Sequence, residues 1–400
     1  MRILQVCNKV PYPPKEGGAI AMFSFLKGFY LAGHSVTLAA INTSKHYTDL
    51  KSIPEDVSKM ADFHDIFIDT KLKPIPALFN LLFSNKPYTA TRFISYKFED
   101  KLIETLKNQE FDVIQLEGLY VCPYIETIRK HSKALISYRA HNIEFEIWDR
   151  LWRETKSPFK RLYLKNLTKR IKRFETSFLN TYDAIIPITQ RDADSLNSLG
   201  NTKPTFVAPT GIFTDSNLEY TPAKEPFTIF HIGVLDWAPN TQGILWFLEN
   251  CWDELRKIHP NITFQIAGRN APDWFIKQVN IPGVEFLGEV ESAEDFMREN
   301  GIMIVPLLAG SGMRIKIVEG LSHGKVIVST SIGAEGIPAK NNEEICIADS
   351  ADEFIAAIDN LLKNKEQLHN IEKNAIEFVK NKLSNNTIIQ QLINFYSKHV

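Results

Sequence analysis

Short apolar runs alternate with longer amphipathic stretches along almost the whole chain. The runs are rich in Val, Ile and Leu and only a few residues long, which is typical of buried strands. Because they lack alternating polar positions, they indicate parallel strands covered by helices on both faces. The predicted strands are Met1–Cys7, Ser35–Ala40, Asp112–Leu116, Ala134–Arg139, Ala184–Ile188, Phe227–Ile232, Thr263–Ala267, Val284–Leu287, Met303–Val305 and Val326–Ser329. The pattern therefore predicts a doubly wound α/β fold.

The clearest helical pattern lies between the first two strands, at Ala19–Ala32, and stops before Gly33, a common residue after a helix end. Further helices are predicted around Ile244–His259 and through Glu319. A last helical stretch, 382–400, is expected to pack back on the first half of the chain.

One irregular segment, residues 202–226, interrupts the alternation and is taken as a linker because it is rich in Pro. Its Pro and Gly positions are Pro204, Pro209, Gly211, Pro222 and Pro226. The segment separates two predicted Rossmann-like domains, 1–210 and 220–381, and a chain of 400 residues is long enough for two cores. We expect the domains to face each other across a cleft, since open α/β sheets bind ligands at the carboxyl ends of their strands.

Composition places the chain among ordinary globular proteins, with 44% hydrophobic and 23% charged residues. No apolar run approaches the roughly 20 residues that span a bilayer. The run Ile3–Cys7 is too short for a secretory signal, and Asn8 and Lys9 interrupt it. The cysteines are scattered without paired spacing, which favours a reducing compartment and argues against a zinc site. They are Cys7, Cys122, Cys251 and Cys346. A cytoplasmic protein is expected.

Charge is unevenly spread although the net charge is only −1. Residues 1–215 carry 30 Lys and Arg against 23 Asp and Glu, a net of +7, whereas residues 216–400 carry 16 against 24, a net of −8. The asymmetry suggests two units that face different partners, and chance variation is the alternative. Nucleic acid is not an expected partner, because the total charge is near zero and the basic run lacks aromatic residues for stacking.

The basic run forms one predicted amphipathic helix. Its apolar face consists of Leu162, Leu167, Ile171, Phe174 and Phe178. Its basic residues are Lys160, Arg161, Lys165, Lys169, Arg170, Lys172 and Arg173. Two interpretations are open: the helix lies on an anionic membrane at the inner face, or its apolar face packs in the core with the charges outside. The segment Pro74–Tyr88 is a second candidate apolar surface.

Residues 310–336, GSGMRIKIVEGLSHGKVIVSTSIGAEG, carry the most informative chemistry. A glycine-rich turn whose backbone amides can approach an anion is followed by two cations at a helix start, where the helix dipole also favours negative charge. A carboxylate suited to ribose hydroxyls comes one turn later. The candidate residues are Gly310, Ser311, Gly312, Met313, Arg314, Lys316 and Glu319. These groups suit a nucleotide diphosphate, and a salt-bridged solvated helix face is the alternative.

Other candidates lie where predicted strands meet helices. Gly17 and Gly18 follow the first strand, where paired glycines allow a phosphate or an acceptor to approach or simply form a turn. His141 follows a strand. Asp236 could orient hydroxyls, with Asn240 beside it either doing the same or capping a helix. Arg269, just beyond the end of another predicted strand, is a further candidate for phosphate or base contact.

Four motifs in this order resemble the retaining GT-B glycosyltransferases of family 4, also called glycosyltransferase group 1. They are PYPPKEGGA, RAHNIE, GVLDWAPNTQG and the series GMRIKIVEG–GKVIVST–GAEG, and the resemblance covers nearly the whole chain. The resemblance implies a GT-B fold and transfer of a sugar from a nucleotide-diphosphate donor with retention of the anomeric configuration. It implies no metal and no cofactor apart from the donor substrate.

The resemblance also assigns roles. The glycine loop Gly17–Gly18 would lie near the leaving diphosphate, His141 would contact the donor sugar, and the backbone of Val284–Val290 would read the nucleobase. The pattern departs from that of many relatives. Ser311 stands where the first of two glutamates is usual, with Glu319 at the second place.

The loop after the first strand of the second domain, 235–240, lacks the Arg and Lys that many relatives use to hold the diphosphate. Arg314 and Lys316 are the expected substitutes. Since no carboxylate is placed for a double displacement, we expect front-face attack on the donor. The acceptor is expected to be a glycan, a lipid-linked sugar or a small molecule, in cell-surface polysaccharide or glycoconjugate synthesis.

Two rival functions remain open from the sequence. A GT-B-like nucleotide-sugar epimerase would convert the donor without any acceptor. A sugar-binding or assembly protein without catalysis would bind ligand and never hydrolyse a donor, and the Ser at position 311 favours this reading.

Overall fold

A computed structural model describes residues 1–213, 225–310 and 312–400. The chain folds into two compact units, Met1–Thr210 together with Ile388–Val400, and Gly211–Thr387. Each unit holds one sheet of six parallel strands with helices on both faces. The doubly wound α/β fold predicted from the apolar runs is confirmed.

Five of the six strands in the sheet of the first unit have side chains buried on both faces, and the edge strand Asp62–Ile68 is half-buried. Its strands are β1 Arg2–Cys7, β2 Ser35–Thr43, β3 Asp62–Ile68, β4 Val113–Glu117, β5 Leu135–Ala140 and β6 Ala184–Pro187, in the spatial order β3-β2-β1-β4-β5-β6. The order reverses beside β1, so the carboxyl ends of β1, β4 and β5 meet at a topological switch point where ligands commonly bind.

Helices flank this sheet. They are α1 Gly17–Leu31, α2 Glu55–Ser58, α3 Pro74–Phe83, α4 Tyr88–Thr91, α5 Tyr96–Asn108, α6 Ile125–His131, α7 Glu144–Glu154, α8 Pro158–Thr176 and α9 Gln190–Ser198. Residues 388–400 join the first unit, and the hydroxyl of Tyr396 donates a hydrogen bond of 2.7 Å to Gln115 on β4. Its ring is fully buried, so the end of the chain completes the core beneath this sheet.

The second unit repeats the arrangement. Its strands are β7 Glu225–Ile232, β8 Thr263–Ala267, β9 Val284–Gly288, β10 Asn300–Val305, β11 Ile327–Ser329 and β12 Cys346–Ile347, in the order β12-β11-β10-β7-β8-β9. Its helices are α10 Ala238–Phe247, α11 Asp253–Ile258, α12 Asp273–Val279, α13 Ala293–Glu299, α14 Ile315–Ser322, α15 Ala351–Lys363 and α16 Lys365–Phe378. The last helix, α17 Asn385–Ser397, follows a π-helical segment at Val379–Leu383.

Several sequence expectations differ from the structure. The predicted helix at Ile244–His259 is interrupted by a π-helical segment, Leu248–Trp252. Strand β3 was missed because it lies at the sheet edge, where polar residues such as Asp62 and His64 break the apolar run. Part of the predicted linker, residues 214–224, lies outside the described residues.

The apolar face assigned to α8 was partly wrong. Leu162 is 71% exposed, and Leu164 takes its place in a small cluster with Leu167 and Ile171. These residues pack against aromatic side chains of α7, so core packing accounts for this face. Of the basic residues of α8, Arg170 is buried. Its guanidinium donates to backbone carbonyls at the end of α3 and just after it.

Candidate functional site

Three elements of the second unit bring polar side chains to the carboxyl end of β7. His231 lies one residue before the end of β7, Asn240 lies in the first turn of α10, and Lys316 lies in the first turn of α14. The ammonium of Lys316 lies 3.1 Å from Nε2 of His231 and donates to Oδ1 of Asn240 at 2.9 Å. The three side chains therefore form one hydrogen-bonded group, which we call the Lys316 cluster.

Hydrogen bonding fixes the tautomer of His231. Its Nδ1 lies 3.0 Å from the carbonyl oxygen of Ile304, which can only accept, so Nδ1 carries the proton. The lone pair of Nε2 then faces the ammonium of Lys316. Burial, and after it the charge of Lys316, lowers the pKa of His231 well below its ordinary value, so the ring is neutral.

Lys316 is a half-buried cation whose hydrogen-bonding partners are neutral. Within the described part of the chain, no carboxylate lies at ion-pair distance from its ammonium. Burial, together with the positive charge of Arg314, lowers the pKa of Lys316 to about 7. A cation in these surroundings is stabilised by an anion that enters the site.

Gly233 makes room for this ammonium in the loop after β7. A Cβ atom at Gly233 would lie 2.9 Å from Nδ2 of Asn240 and 3.1 Å from Nζ of Lys316. Asn240 also donates to the carbonyl of Val234 at 2.8 Å, which holds the loop against α10. The loop lacks a cation of its own, and α14 places Lys316 against it.

Arg314 directly precedes α14 and is buried. Its guanidinium lies over the ring of Trp237, 5.3 Å from the ring centre, and donates to the carbonyl of Gly312. A Cβ atom at Gly310 would lie 2.4 Å from Nη2 of Arg314, and Gly310 has a φ of 135°, so a larger residue there would displace the guanidinium and strain the backbone. The backbone at Gly310 therefore lies close to a side chain of the protein, whereas the sequence suggested that it lies close to a ligand.

Glu319 lies three residues after Lys316 on α14, a spacing that places both on one face of the helix. Its carboxylate is half-buried, and burial raises its pKa. Among the described residues, none forms a hydrogen bond or ion pair with this carboxylate. A partly desolvated acceptor without donors can accept two hydroxyl groups from a ligand.

Asp236 and Arg269 are exposed in the neighbouring loops after β7 and β8. The loops lie side by side, since the amide of Leu235 donates to the carbonyl of Arg269 at 2.9 Å. Asp236 accepts a hydrogen bond of 3.2 Å from Asn270, and the described contacts do not join Arg269 to the Lys316 cluster. Asn240 does not cap α10, because it lies inside the helix and its amide bonds Lys316 and Val234 instead.

The remaining candidates of this unit have less distinctive surroundings. Val290 follows β9, and its half-buried side chain packs on the apolar cluster that contains Phe230 and Ile317. Met313 packs on the same cluster. Ser311 lies outside the described residues, so its place in the predicted diphosphate turn stays a prediction.

In the first unit, adjacent strands carry a buried acid and a histidine. Glu117 ends β4, and His141 directly follows β5. Oε2 of Glu117 lies 2.6 Å from Nε2 of His141, and Oε1 accepts a hydrogen bond of 2.7 Å from Gln5 on β1. The sheet order places these three strands side by side, which explains why residues far apart in sequence meet here.

The charge states of this pair follow from their surroundings. Burial alone would raise the pKa of Glu117, but the charge of Arg139 and the hydrogen bond from His141 lower it to about 2. Burial lowers the pKa of His141, so the ring is neutral near pH 7. Because the ionised Glu117 only accepts, Nε2 of His141 carries the proton and Nδ1 keeps its lone pair.

Arg139 pairs with Glu117 rather than with Glu144, the nearest acid after it in the sequence. The fully buried guanidinium lies 3.4 Å from Glu117 and donates to the carbonyl of Ala21 at 2.9 Å. Glu144 instead accepts a hydrogen bond of 3.1 Å from the hydroxyl of Tyr120. Strand pairing decides this, since Glu117 lies opposite Arg139 in the sheet.

Gly17 and Gly18 are the first two residues of α1 and are exposed. A Cβ atom at Gly17 would meet no atom within 4 Å, and one at Gly18 would lie at an ordinary 3.7 Å from Nζ of Lys9. Neither residue has a positive φ. Packing in this structure therefore gives no reason for a glycine at either position.

Sequence reasoning missed Glu117 and His231 as members of these groups. Both are polar residues at the carboxyl end of an otherwise apolar strand, in the segments VIQLE and EPFTIFHI. Such a placement, directed at the ligand-binding edge of a parallel sheet, is a signal that could have identified them.

The described residues contain neither a membrane-spanning helix nor a metal-binding cluster. No helix among them is long and apolar enough to cross a bilayer. No group of three or more His, Cys, Asp or Glu side chains among them is arranged to hold a metal ion.

One family model matches part of the second unit. Residues 226–364 match the model of the family described as Glycosyl transferases group 1, which confirms the resemblance inferred from the motifs. A protein of Klebsiella pneumoniae, described as an uncharacterized 44.6 kDa protein in the cps region, is 24% identical over 94% of this chain and 95% of its own length.

Solved structures show the same fold over both units. HepE of Anabaena, crystallised with UDP, is 15% identical and covers both chains completely with a TM-score of 0.69. Sucrose-phosphate synthase of Thermosynechococcus elongatus is 14% identical, covers 100% of this chain and 99% of its own, and gives a TM-score of 0.70. These likenesses show a GT-B fold.

Proposed function

We propose, from the Glycosyl transferases group 1 domain at residues 226–364, that the protein is a retaining, metal-independent glycosyltransferase. The observation that carries the proposal is the Lys316 cluster. A half-buried ammonium with neutral partners lies beside a second cation, Arg314, and three residues before a carboxylate without donors, Glu319. These are complementary to a diphosphate and to the hydroxyls of an attached ribose.

The donor binds the second unit in this proposal. Lys316 and Arg314 hold the diphosphate, and Glu319 accepts hydrogen bonds from the ribose. The backbone near Val290 contacts the base, while Asp236 and Arg269 border the site. A UDP-linked sugar is the first donor to test, since the Anabaena structure of the same fold was solved with UDP-glucose as well as with UDP.

The acceptor binds the first unit near Gly17, Gly18 and His141. Nδ1 of His141 keeps a lone pair that can accept a hydrogen bond from a sugar hydroxyl, while Glu117 holds the ring. We propose a glycan or lipid-linked acceptor and a role in cell-surface polysaccharide synthesis. The description of the Klebsiella relative as a cps-region protein supports this role.

Transfer proceeds by front-face attack. The acceptor oxygen forms a bond to the anomeric carbon on the face from which the diphosphate departs, and the carbon–oxygen bond to the diphosphate breaks. The acceptor proton passes to the departing phosphate oxygen. Lys316 and Arg314 stabilise the negative charge that develops there. NMR of the product is expected to show the donor's anomeric configuration, and an inverted product would exclude this mechanism.

Association with the inner face of an anionic membrane is part of the proposal and implies a cytoplasmic protein. Helix α3 exposes six large apolar side chains, Ile75, Leu78, Phe79, Leu81, Leu82 and Phe83. Arg170 ties the end of this helix to the basic helix α8, which exposes Phe159 and Leu162. Apolar side chains beside basic ones suit an anionic lipid surface.

Donor binding is tested by thermal unfolding of the full chain with UDP, UDP-glucose and other nucleotide sugars. A ligand that binds only the folded state raises the melting temperature, with a stabilisation of about 2.7 kcal/mol at 100 times its Kd. Glu319→Gln is expected to weaken binding roughly 10- to 100-fold, because a charged acceptor of two hydrogen bonds is lost.

The matched control is Glu366→Gln, which removes an exposed carboxylate from α16 of the same unit. It should bind as the wild type does. Full donor affinity in Glu319→Gln, or the absence of any nucleotide that stabilises the protein, would contradict the assignment. Conversion of the donor without an acceptor would point to an epimerase instead.

A further inference from the structure

A basic pocket opens in the first unit beyond the carboxyl ends of β1 and β2. Its volume is about 700 Å³. Four cationic side chains line it, Lys9, Lys45, Lys71 and Arg92, and two aromatic residues, Phe93 and Tyr120, contribute to its wall. None of the described lining residues carries a carboxylate. Its residues come from five separate segments of the chain, so spacing along the sequence gives no sign of it.

The charges in the basic pocket are only partly balanced. Glu16 lies 3.0 Å from Lys9 and also contacts His46, and Asp69 at the rim pairs with Lys73 at 3.0 Å. Two lysines, at positions 45 and 71, are exposed and make no ion pair with the described residues.

The fourth cation is held by neutral groups. The guanidinium of Arg92 donates to the carbonyls of Thr70 and Thr89 at 3.0 and 3.2 Å and lies over the ring of Phe93. Among the described residues, none provides a carboxylate for it. The pocket therefore holds an excess of positive charge, which concentrates anions at its surface.

The aromatic wall suits a sugar. The rings of Phe93 and Tyr120 are stacked, with centroids 5.1 Å apart and planes 11° apart. Phe93 is buried and supports Tyr120, whose half-buried ring is the one that the apolar C–H face of a pyranose can pack against, while a few fixed polar groups orient the sugar. A cationic pocket with an aromatic wall thus combines recognition of a ring with recognition of a negative charge.

The basic pocket adjoins the residues assigned to the acceptor. Nζ of Lys9 lies 3.7 Å from the position of a Cβ atom at Gly18. The charge of Lys9 also contributes to lowering the pKa of His141. Tyr120 reaches the same region from the other side, since its hydroxyl donates to Glu144 just after His141.

We propose that the acceptor is an anionic saccharide, and that its carboxylate or phosphate binds in the basic pocket against Lys45, Lys71 and Arg92. The proposal rests on the proposed glycosyltransferase function and specifies its acceptor class. A uronic acid of a glycan and the phosphate of a lipid-linked sugar share this chemistry. Arginine and lysine recognise both groups by charge-assisted hydrogen bonds.

The test is calorimetric titration of the full chain saturated with UDP, which keeps anions out of the donor site. The probes are cellobiouronic acid, cellobiose as its neutral counterpart, and inorganic pyrophosphate. We expect at least one anion to bind more tightly than cellobiose, with an affinity that falls as salt is added. Preference for the uronic acid identifies a carboxylate acceptor, and preference for pyrophosphate identifies a phosphorylated one.

Variants locate the binding. Lys71→Gln removes an exposed charge and is expected to weaken anion binding about 10-fold, the effect of roughly 1.4 kcal/mol. Arg92→Gln should act in the same direction. Lys107→Gln, an exposed lysine on α5 in the same unit, is the control and should change nothing.

Two outcomes overturn the inference: equal binding of cellobiose and both anions, or anion binding that Lys71→Gln leaves unchanged. Stabilisation of the protein by UDP-glucose tests the proposed function separately from the acceptor inference. A chain that is stabilised by UDP-glucose in a Glu319-dependent way but binds no anion is a transferase with a neutral acceptor. A chain that binds anions and no nucleotide contradicts the transferase assignment.

Discussion

Lys316 and His231 lie 85 positions apart in the chain, yet their side chains meet at 3.1 Å, and burial at this place lowers the pKa of both. The histidine can accept from the lysine only because Ile304 fixes the proton on its other nitrogen. The lysine is then surrounded by neutral partners and by the charge of Arg314. Its pKa near 7 means that the free site is only partly charged at neutral pH.

This residue-scale chemistry predicts proton uptake on donor binding. A diphosphate stabilises the charged form of Lys316, so the pKa of Lys316 rises when the donor binds. At pH 8, above the pKa of about 7 in the free protein, binding should take up close to one proton. At pH 6 the lysine is already charged, and uptake should be small. Calorimetry of UDP binding in buffers of different ionisation enthalpy measures this uptake.

Two variants at the same position separate the charge from its titration. Lys316→Gln should lose affinity and show no uptake at either pH. Lys316→Arg stays charged at every pH tested, so it should bind without uptake at pH 8. If the wild-type protein binds UDP at pH 8 without taking up a proton, Lys316 does not contact the diphosphate.

At the scale of elements, helix α1 contains glycines with opposite surroundings. Gly18 is the second residue of the helix, and a Cβ atom there would make only an ordinary contact, 3.7 Å from Nζ of Lys9, whereas a Cβ atom at Gly28 would lie 2.5 Å from Cγ1 of Ile389. Gly28 is therefore a packing requirement of the first unit. Gly18 is not, which leaves the approach of a ligand as the function that we propose for it.

Alanine at the two positions is expected to give opposite results. Gly18→Ala should keep or raise the melting temperature, because alanine favours a helix by up to about 1 kcal/mol, and should lower the rate of sugar transfer. Gly28→Ala should destabilise the protein by roughly 1–3 kcal/mol through overpacking. Thermal unfolding and a transfer assay measure the two effects. Unchanged transfer in Gly18→Ala would remove this residue from the site.

At the scale of the whole molecule, the basic half of the sequence coincides with the unit that exposes large apolar side chains on α3. Phe79 is 60% exposed and Phe83 is 79% exposed, on a helix that Arg170 holds against the basic α8. Apolar and basic groups together favour an anionic bilayer, while either alone binds weakly.

Binding to vesicles tests this surface. The full chain should sediment with vesicles that contain phosphatidylglycerol and much less with pure phosphatidylcholine, and added salt should release it. Phe79→Ser together with Phe83→Ser should reduce sedimentation several-fold. Trp274→Ser replaces an exposed aromatic residue of the other unit and is the control. Equal sedimentation of wild type and the double variant would reject α3 as the docking surface.

Much of the fold could be predicted from the sequence, because buried parallel strands have a strong local signature. The run RILQVC of β1 is apolar at nearly every position, and its side chains are buried after Arg2. Strand β3 was not predicted, because a strand at the edge of a sheet does not need a continuous apolar run. The apolar face of α8 was misassigned at Leu162, because Leu164, two positions further on, packs there instead, and periodicity does not fix where an apolar face ends.

The candidate site was predictable only in part. Glycine, arginine, lysine and glutamate between residues 310 and 319 pointed to a diphosphate site by type and order. Spacing along the chain could not pair them with His231, Asn240 and Trp237. These partners lie about 75 to 85 positions earlier, on β7, on α10 and in the loop between them. The same holds for Glu117, which meets His141 only because β4 and β5 are neighbours.

The sequence by itself determined the class of fold and the segments that carry the chemistry, because both depend on local pattern and residue type. The tertiary structure alone decided which groups are charged, which are partnered and which are left to meet a ligand. These properties depend on burial and on neighbours from distant segments, as Lys316 with His231 and Glu117 with His141 show. Desolvation and strand order are properties of the assembled sheet, and spacing along the chain does not contain them.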